Sequence, residues 1–262
     1  MEYINYVKQQ PIQGISGFGG GANSLAFKGP SGPGAGEYSL DFDEGDGMSL
    51  SGSNIDSEMN LQGNFCVECF FKITGFAGGG THRALFNRFS SNDYQWQTHV
   101  RTDSQGGYKM HTWFQFNDNQ TVEGNHIQLN QWTHYAFVRN SNNLYQYING
   151  VNRTDGSWTN STNLPGGVNE PFAIAHRIDS GSYDFIGKIS NVRYTVGQAV
   201  YTSGFTPSTT PLTTTSQSVT ASNCKFLAAQ GATIGAYTDA PSGSTWASGT
   251  NNDPTVSTDS PF

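Results

Sequence analysis

The sequence predicts an all-β protein whose centre, residues 37–200, folds as a two-sheet antiparallel jelly-roll sandwich. Three observations lead to this fold class. Short runs of alternating apolar and polar residues recur along the centre, and clusters of Gly, Asn and Ser separate them. No apolar pattern of helical period extends over a useful length. Short strands that are spaced by such turns are typical of a sandwich or a barrel.

The clearest strand signal is the run FCVECFFKI, residues 65–73. Every second residue from Phe65 to Ile73 is hydrophobic, so these side chains share one face of a strand. Glu68 lies on the opposite face. The run therefore predicts a strand that turns one complete face toward the core.

A second run, residues 110–116, has the same alternation. It places Met110 and Phe114 on one face and His111 and Trp113 on the other. The pattern predicts another strand with one apolar face.

Residues 132–139 and 144–148 predict a pair of strands joined by a turn. Asn149-Gly150 follows, a two-residue hairpin turn that needs two positive φ angles. Residues 185–194 make a further strand. Together these elements predict antiparallel sheets.

The polarity of the chain comes from uncharged residues. Charged residues make up 13% of the 262 residues, against roughly 25% in average globular proteins. The formal net charge is −7, and no run of Lys and Arg is present. We expect no nucleic-acid partner, because a surface that follows phosphates needs clustered basic side chains.

The three cysteines predict neither a disulfide nor a zinc site. Cys66 and Cys69 lie three residues apart, so on a strand they point to opposite faces. Cys224 is the third, and no second C-x-x-C pair completes a zinc site. We expect reduced cysteines in or near a core, as in a protein assembled in a cytoplasm.

Membrane insertion is not expected. Residues 1–10 lack the apolar segment of a signal peptide. No apolar run approaches the roughly 18 residues that a membrane helix needs.

The two ends of the chain differ from the centre. Residues 1–36 form a polar, glycine-rich arm that has too few apolar residues for a core of its own. Residues 201–262 are rich in Thr, Ser and Pro, with a few apolar islands. We expect this C-terminal extension to pack on the sandwich or on a neighbour rather than to form a separate domain.

Four segments resemble concanavalin A-like (laminin G-like) domains, in the order in which that family has them. They are residues 38–50, 65–73, 132–150 and 186–193. The resemblance implies the concanavalin A-like form of the predicted sandwich. It also implies that Trp132 is structural.

Residues 196–213, VGQAVYTSGFTPSTTPLT, resemble a tail of laminin G-like virion proteins from tailed phages. The resemblance implies a virion structural protein, made in the host cytoplasm and displayed on the surface of the capsid or the tail. The arm would bind other virion proteins, and homo-oligomers are the default for such parts. The candidate anchor residues of the arm are Ile15, Phe18, Leu25 and Phe27.

Enzymatic activity is not expected. Glycoside hydrolases of this fold need two carboxylates about 5–10 Å apart, one as acid and the other as nucleophile or base. Glu68 has Cys66 and Phe70 as its neighbours on the same strand face, so it has no carboxylate partner there. No serine-nucleophile elbow, HExxH motif or phosphate-binding loop occurs either.

An acidic loop is the candidate calcium site, with no other cofactor expected. Asp41, Asp43 and Asp46 lie close together in sequence, and calcium prefers carboxylate and carbonyl oxygens from loops. Related domains sometimes bind calcium between this loop and the closing strand. Here Ser190 and Asn191 replace the acidic pair of that strand, which favours a solvated turn instead.

Three tryptophans are candidates for carbohydrate binding, because sugars stack on exposed aromatic faces. They are Trp96, Trp113 and Trp158. Burial in the sandwich is the alternative for each. Two functional hypotheses follow: a non-enzymatic virion surface protein, and a carbohydrate-binding adhesin or lectin module that recognises host glycans.

Overall fold

A computed structural model describes residues 34–76, 81–89, 94–102, 107–114, 118–164, 170–177, 183–248 and 253–262. The strands, in chain order, are β1 (Ser39–Phe42), β2 (Met48–Ser51), β3 (Phe65–Gly75), β4 (His82–Phe89), β5 (Tyr94–Thr102), β6 (Tyr108–Phe114), β7 (Asn119–Thr121), β8 (Thr133–Asn140), β9 (Asn143–Ile148), β10 (Val151–Asn152), β11 (Phe172–Ile174), β12 (Ile186–Val196), β13 (Cys224–Ala228), β14 (Tyr237–Asp239), β15 (Thr245–Ser248) and β16 (Thr255–Ser257). The described helices are α1 (Ile55–Met59) and two 3₁₀ turns, Ser216–Ser218 and Ala221–Asn223.

These strands form two antiparallel sheets in the described part of the chain. The first sheet has the order β10-β9-β8-β3-β12-β1-β16, and β13 pairs with β12 and carries β14 on its other side. The second sheet has the order β15-β2-β11-β4-β5-β6-β7. The prediction of an all-β, two-sheet antiparallel sandwich is confirmed.

The main core lies between the two sheets and follows the predicted alternation. Phe65, Val67 and Phe71 of β3 are buried there with Met110 and Phe114 of β6. Because side chains alternate along a strand, the intervening residues lie on the outer faces, which point away from this core.

Cys66 and Cys69 lie on opposite faces of β3, as predicted. Cys69 belongs to the main core, and Cys66 belongs to a smaller cluster on the outer face of the first sheet. Both are free thiols, as is the buried Cys224. Burial raises the pKa of all three thiols, which keeps them protonated.

A third layer covers the outer face of the first sheet. It is the strap, residues 197–223, which packs Tyr201 and Phe205 over Cys66 and Leu212 and Val219 near Phe70. Its Tyr201 and Phe205 rings are stacked with their centroids 3.5 Å apart. The motif that resembled a phage tail thus lies within this layer and buries apolar side chains of its own chain.

The extension after residue 200 supplies strands to both sheets. β15 pairs with β2 of the second sheet, and β16 pairs with β1 of the first. Trp246 of β15 is buried against Phe226 of β13, with ring centroids 5.0 Å apart. The five-residue helix α1 was not predicted, because one turn is too short to show a helical period. No described helix has the length and hydropathy that a membrane span requires.

Candidate functional site

Glu68 lies at the centre of a buried charge cluster beneath the strap. Its carboxylate accepts hydrogen bonds from Arg193 Nη2 at 2.6 Å, from Tyr201 Oη at 2.7 Å and from His134 Nε2 at 3.0 Å. The side chains of Glu68, Arg193 and His134 are fully buried. Burial alone would raise the pKa of Glu68, but Arg193 and the two hydrogen-bond donors lower it to about 2. The carboxylate therefore stays charged and is enclosed by its own partners.

This arrangement gives Glu68 a structural role. A glycosidase acid must reach the glycosidic oxygen of a bound sugar. Glu68 instead faces the strap, and its described partners are a guanidinium, an imidazole, a phenol and the thiol of Cys66.

The outer face of the second sheet carries a cluster of imidazoles, which we call the histidine face. It consists of His82 on β4, His99 on β5 and His111 on β6, which the strand register brings side by side. The ring centroids of His82 and His99 lie 4.7 Å apart, and those of His99 and His111 lie 5.1 Å apart. Trp113 and Tyr183 border the cluster, 5.8 Å from His111 and from His82 respectively.

Hydrogen bonds define the state of His111. Trp113 Nε1 donates to His111 Nε2, so the other ring nitrogen carries the proton and donates to Thr121 Oγ1 at 2.5 Å. Burial, together with the nearby Arg101, lowers the pKa of His111 to about 4. Burial also lowers the pKa of His99 well below its usual value. The imidazoles of His99 and His111 are therefore neutral at physiological pH.

Several buried polar atoms at or beside this face have no hydrogen-bond partner among the described residues. They are both ring nitrogens of His99, the side-chain oxygen of Asn87 on β4 and Nε2 of His176 just after β11. Leaving such a group unpaired costs about 1–3 kcal/mol. Their concentration on one side of one sheet is unusual, because buried polar groups are generally hydrogen-bonded.

The backbone beside this face is closely packed. Asn87 Nδ2 donates to the carbonyl oxygen of His176 at 2.5 Å. The ring of His176 lies against Gly47, where a Cβ atom would come within 2.1 Å of His176 Cδ2. Because Gly47 has no Cβ, the imidazole of His176 can pack directly against the loop that precedes β2.

The structure separates the three candidate tryptophans. Trp96 is buried in the main core, and Trp158 is buried against Phe137 with ring centroids 5.7 Å apart. Their faces are therefore covered by protein. Trp113 is half-buried at the edge of the histidine face, so it alone of the three enters the candidate site.

The carboxylates of two of the three candidate calcium ligands, Asp41 and Asp46, are engaged in other contacts. Asp41 forms an ion pair with Lys188, and Asp46 Oδ2 accepts a hydrogen bond from the backbone N–H of Asp43 at 2.8 Å. Asp184, which precedes β12, accepts from Gly45 N at 3.0 Å and so fixes the same loop. Over the described ranges, no three His, Cys, Asp or Glu side chains are arranged to hold a metal ion. The calcium site stays a prediction. The anchor residues Ile15, Phe18, Leu25 and Phe27 lie outside the described residues.

The alternation of β6 predicted that His111 and Trp113 share a face, whereas His82, His99 and Asn87 were not predicted as site residues. The signal was present in β5, where Gln97, His99 and Arg101 alternate with the core residues of the same strand. Polar aromatic residues on the outer phase of consecutive strands would have indicated the face. The order of strands in the second sheet was needed to bring them together.

Comparison with known proteins places this architecture in a family. A family model described as the concanavalin A-like lectin/glucanases superfamily matches residues 42–195. The chain belongs to this family. A search of curated protein sequences finds no significant match.

Solved structures are similar to this chain at low sequence identity. A Bacteroides ovatus protein described as carbohydrate binding is 14% identical with a TM-score of 0.57, and the match covers 86% of this chain and 60% of that one. A heptameric pentraxin from Limulus polyphemus is 15% identical with a TM-score of 0.46, covering 60% of this chain and 75% of that one. The chain thus spans less than two thirds of the Bacteroides ovatus protein. At 14% identity, the likeness to the Bacteroides ovatus protein is one of fold alone.

Proposed function

We propose that this chain is a non-enzymatic, lectin-like module that binds glycans at the histidine face. The observation that carries the proposal is the half-buried Trp113 at the edge of a face whose imidazoles are uncharged, with half-buried His82 on the same face. Glycan hydroxyl groups both donate and accept hydrogen bonds, so they match a neutral imidazole and an amide oxygen alike. Trp113 supplies aromatic surface against which the C–H face of a sugar ring would pack.

Family membership supports the proposal, since the family is named for lectins as well as glucanases. The Bacteroides ovatus protein, which shares the fold over most of this chain, is described as carbohydrate binding. The absence of catalysis is supported by Glu68, whose carboxylate is enclosed by Arg193, His134 and Tyr201. These observations favour the glycan-binding hypothesis over the virion hypothesis as a description of the sandwich.

The test is a glycan array probed with the full chain, with and without calcium, followed by affinity measurements on the glycan that binds best. We expect Trp113→Ala and His82→Asn, at the two half-buried rings of this face, each to weaken binding about ten-fold or more, as losses of central contacts commonly do. His126→Asn, on the loop that follows β7 and outside the histidine face, is the matched control and should leave the affinity unchanged.

Each part of this experiment has an outcome that would contradict the proposal. Binding that both variants retain in full would place the site elsewhere, and an array without any selective binding would reject glycan recognition. Binding that requires calcium would revive the prediction at Asp41, Asp43 and Asp46.

Display at a virion surface, with oligomers anchored by residues 1–36, remains a separate proposal based on the sequence resemblance. It concerns where the module is carried, whereas glycan binding concerns what the sandwich does. Deleting residues 1–36 and measuring incorporation into particles tests it, and unchanged incorporation would reject the anchor.

A further inference from the structure

A groove of about 600 Å³ lies along the first sheet, outside the histidine face. Its lining includes Tyr38, Leu212, Thr213, Gln230 and Tyr237. Ligand pockets commonly have volumes of about 300–1,000 Å³. The groove shares no lining residue with the histidine face, so it constitutes a separate feature of the fold.

A single buried side chain, Asn191, fixes three walls of this groove. Its Nδ2 donates to Gly36 O at 3.1 Å, and its Oδ1 accepts from Leu212 N at 2.7 Å and from Gln230 Nε2 at 2.5 Å. Gln230 Nε2 also donates to Leu212 O at 2.8 Å. The groove is therefore held by a closed set of buried hydrogen bonds rather than left by loose packing.

Asn191 occupies this position because of an irregularity in β12. Its φ is 55°, in the left-handed region that Asn tolerates better than most residues. There the partner along one edge of β12 changes from β1, which pairs up to Ile189, to β13, which pairs from Val192 onward. The amide fills the junction between these two partners. The residue that replaces an acidic calcium ligand of related domains thus has a different role in this chain.

At two glycines that line the groove, the backbone packs closely against a neighbouring side chain. At Gly36, with φ of 88°, an added Cβ would lie 2.4 Å from Pro211 Cβ. At Gly231 an added Cβ would lie 2.4 Å from Ala236 Cβ. Both sites exclude larger residues, so the shape of the groove is set by the sequence.

The chemistry of the lining points to an uncharged ligand with one apolar face. Among the described lining residues there is no Asp, Glu, Lys, Arg or His. Tyr237 is 51% exposed, and its ring is in no described aromatic pair, so its face is available for stacking. Hydroxyl groups of Thr213 and Thr238 and the amide of Gln230 line the same space.

We propose that this groove is a second binding site, which takes a neutral sugar stacked on Tyr237. The assignment of a sugar as ligand class rests on the proposed function, whereas the position of the groove does not. Two sites on one chain would let a multivalent glycan bind with avidity beyond either single affinity.

The experiment uses the full chain with isotope-labelled tyrosine rings and tryptophan indoles, observed by NMR. The probes are methyl β-glucopyranoside, lactose and the charged methyl β-glucuronide. We expect the two neutral probes to shift the ring signals of Tyr237 saturably and the glucuronide to bind more weakly. Tyr237→Ala should remove binding at the groove. Thr238→Val, which also removes the hydroxyl that donates to Gln230 Oε1 at 3.4 Å, should weaken it.

Trp113→Ala is the matched control and should leave the response of Tyr237 unchanged. If Tyr237 responds and the Trp113 indole responds to no glycan, the second site stands and the proposed function fails. If neither neutral probe shifts Tyr237 saturably, if glucuronide binds equally well, or if Trp113→Ala abolishes the response of Tyr237, the second site is rejected.

Discussion

Glu68 joins three parts of the molecule through one carboxylate. Arg193 reaches it from β12, His134 from β8 and Tyr201 from the strap. Arg193 also donates to the carbonyl oxygens of Thr213 and Ser216 at 2.9 and 2.8 Å, so its charge is shared with the strap. A buried ion pair of this kind need not add net stability, but removing one partner leaves a buried charge uncompensated.

Glu68→Gln is therefore expected to lower the free energy of unfolding by about 3–5 kcal/mol, because Arg193 would lose its counter-charge in the interior. Urea denaturation measures the change. Glu123→Gln is the control, since the side chain of Glu123 is 64% exposed in its pair with Lys109 and such pairs contribute at most about 1 kcal/mol. Equal effects of the two substitutions would contradict a structural role for the cluster.

The histidines make stability depend on pH. Burial lowers the pKa of His111 and His176 to about 4 from 6.5, so the unfolded chain binds more protons than the folded chain between these values. Stability is therefore complete above about pH 6.5 and falls as the pH drops toward 4, by up to about 3 kcal/mol for each histidine. Urea midpoints across this range measure the slope. His111→Asn should flatten it, and an unchanged slope would contradict the burial of this ring.

The strap turns a two-layer sandwich into three layers over the first sheet. Its contact with the β9–β10 turn is close: Phe205 N donates to Gly150 O at 2.9 Å, and Gly150 has φ of 76°. A Cβ added to Gly150 would lie 1.8 Å from Phe205 O. Gly150 thus permits both the positive φ of the turn and the close packing of the strap.

Gly150→Ala should consequently destabilise the protein more than the same change at Gly156. Both glycines have positive φ, but an added Cβ at Gly156 has nothing within 4 Å. We expect Gly156→Ala to lower the free energy of unfolding by about 1 kcal/mol, from backbone strain alone. Gly150→Ala should lower it by at least about 2 kcal/mol more, because the added Cβ collides with the strap. Thermal denaturation of the two variants measures the difference. Equal losses would mean that the strap moves away from the added Cβ without destabilising the protein.

The whole molecule extends beyond the segment that defines its family. The family match ends at residue 195, yet β13 to β16 follow and join both sheets. Near the end of the chain, Asp259 accepts from Trp132 Nε1 at 3.1 Å and pairs with Lys72 of β3. The extension therefore contributes to the same cooperative unit as the sandwich.

Removing residues 240–262 is expected to lower the melting temperature by roughly 10 °C or more. It would uncover the edges of β1 and β2 and take away buried Trp246, a loss of about 3–5 kcal/mol by itself. Scanning calorimetry measures the shift. Trp246→Ala is the variant that isolates the contribution of the buried tryptophan side chain. A truncated chain that melts at the original temperature would show that the extension is dispensable.

Much of the sandwich was predictable from local pattern. Alternation from Phe65 to Ile73 gave both the strand and the correct inner face, and Asn149-Gly150 gave the correct hairpin turn. The candidate site was predictable only in part. His111 and Trp113 share a strand, but His82 and His99 come from two other strands whose pairing depends on long-range register.

By itself, the amino-acid sequence determined the fold class and the inner faces of the main strands, because period-two alternation is a local property of the chain. Only the tertiary structure decided which outer faces are covered. Residues that alternation places outside, such as Cys66 and Glu68, are buried because the strap folds back over them from far along the chain. The outer face of the second sheet brings together three histidines and unpartnered polar atoms. His99 and His111 on that second face are buried as well, so residues of both outer faces are covered through contacts that no short sequence window contains.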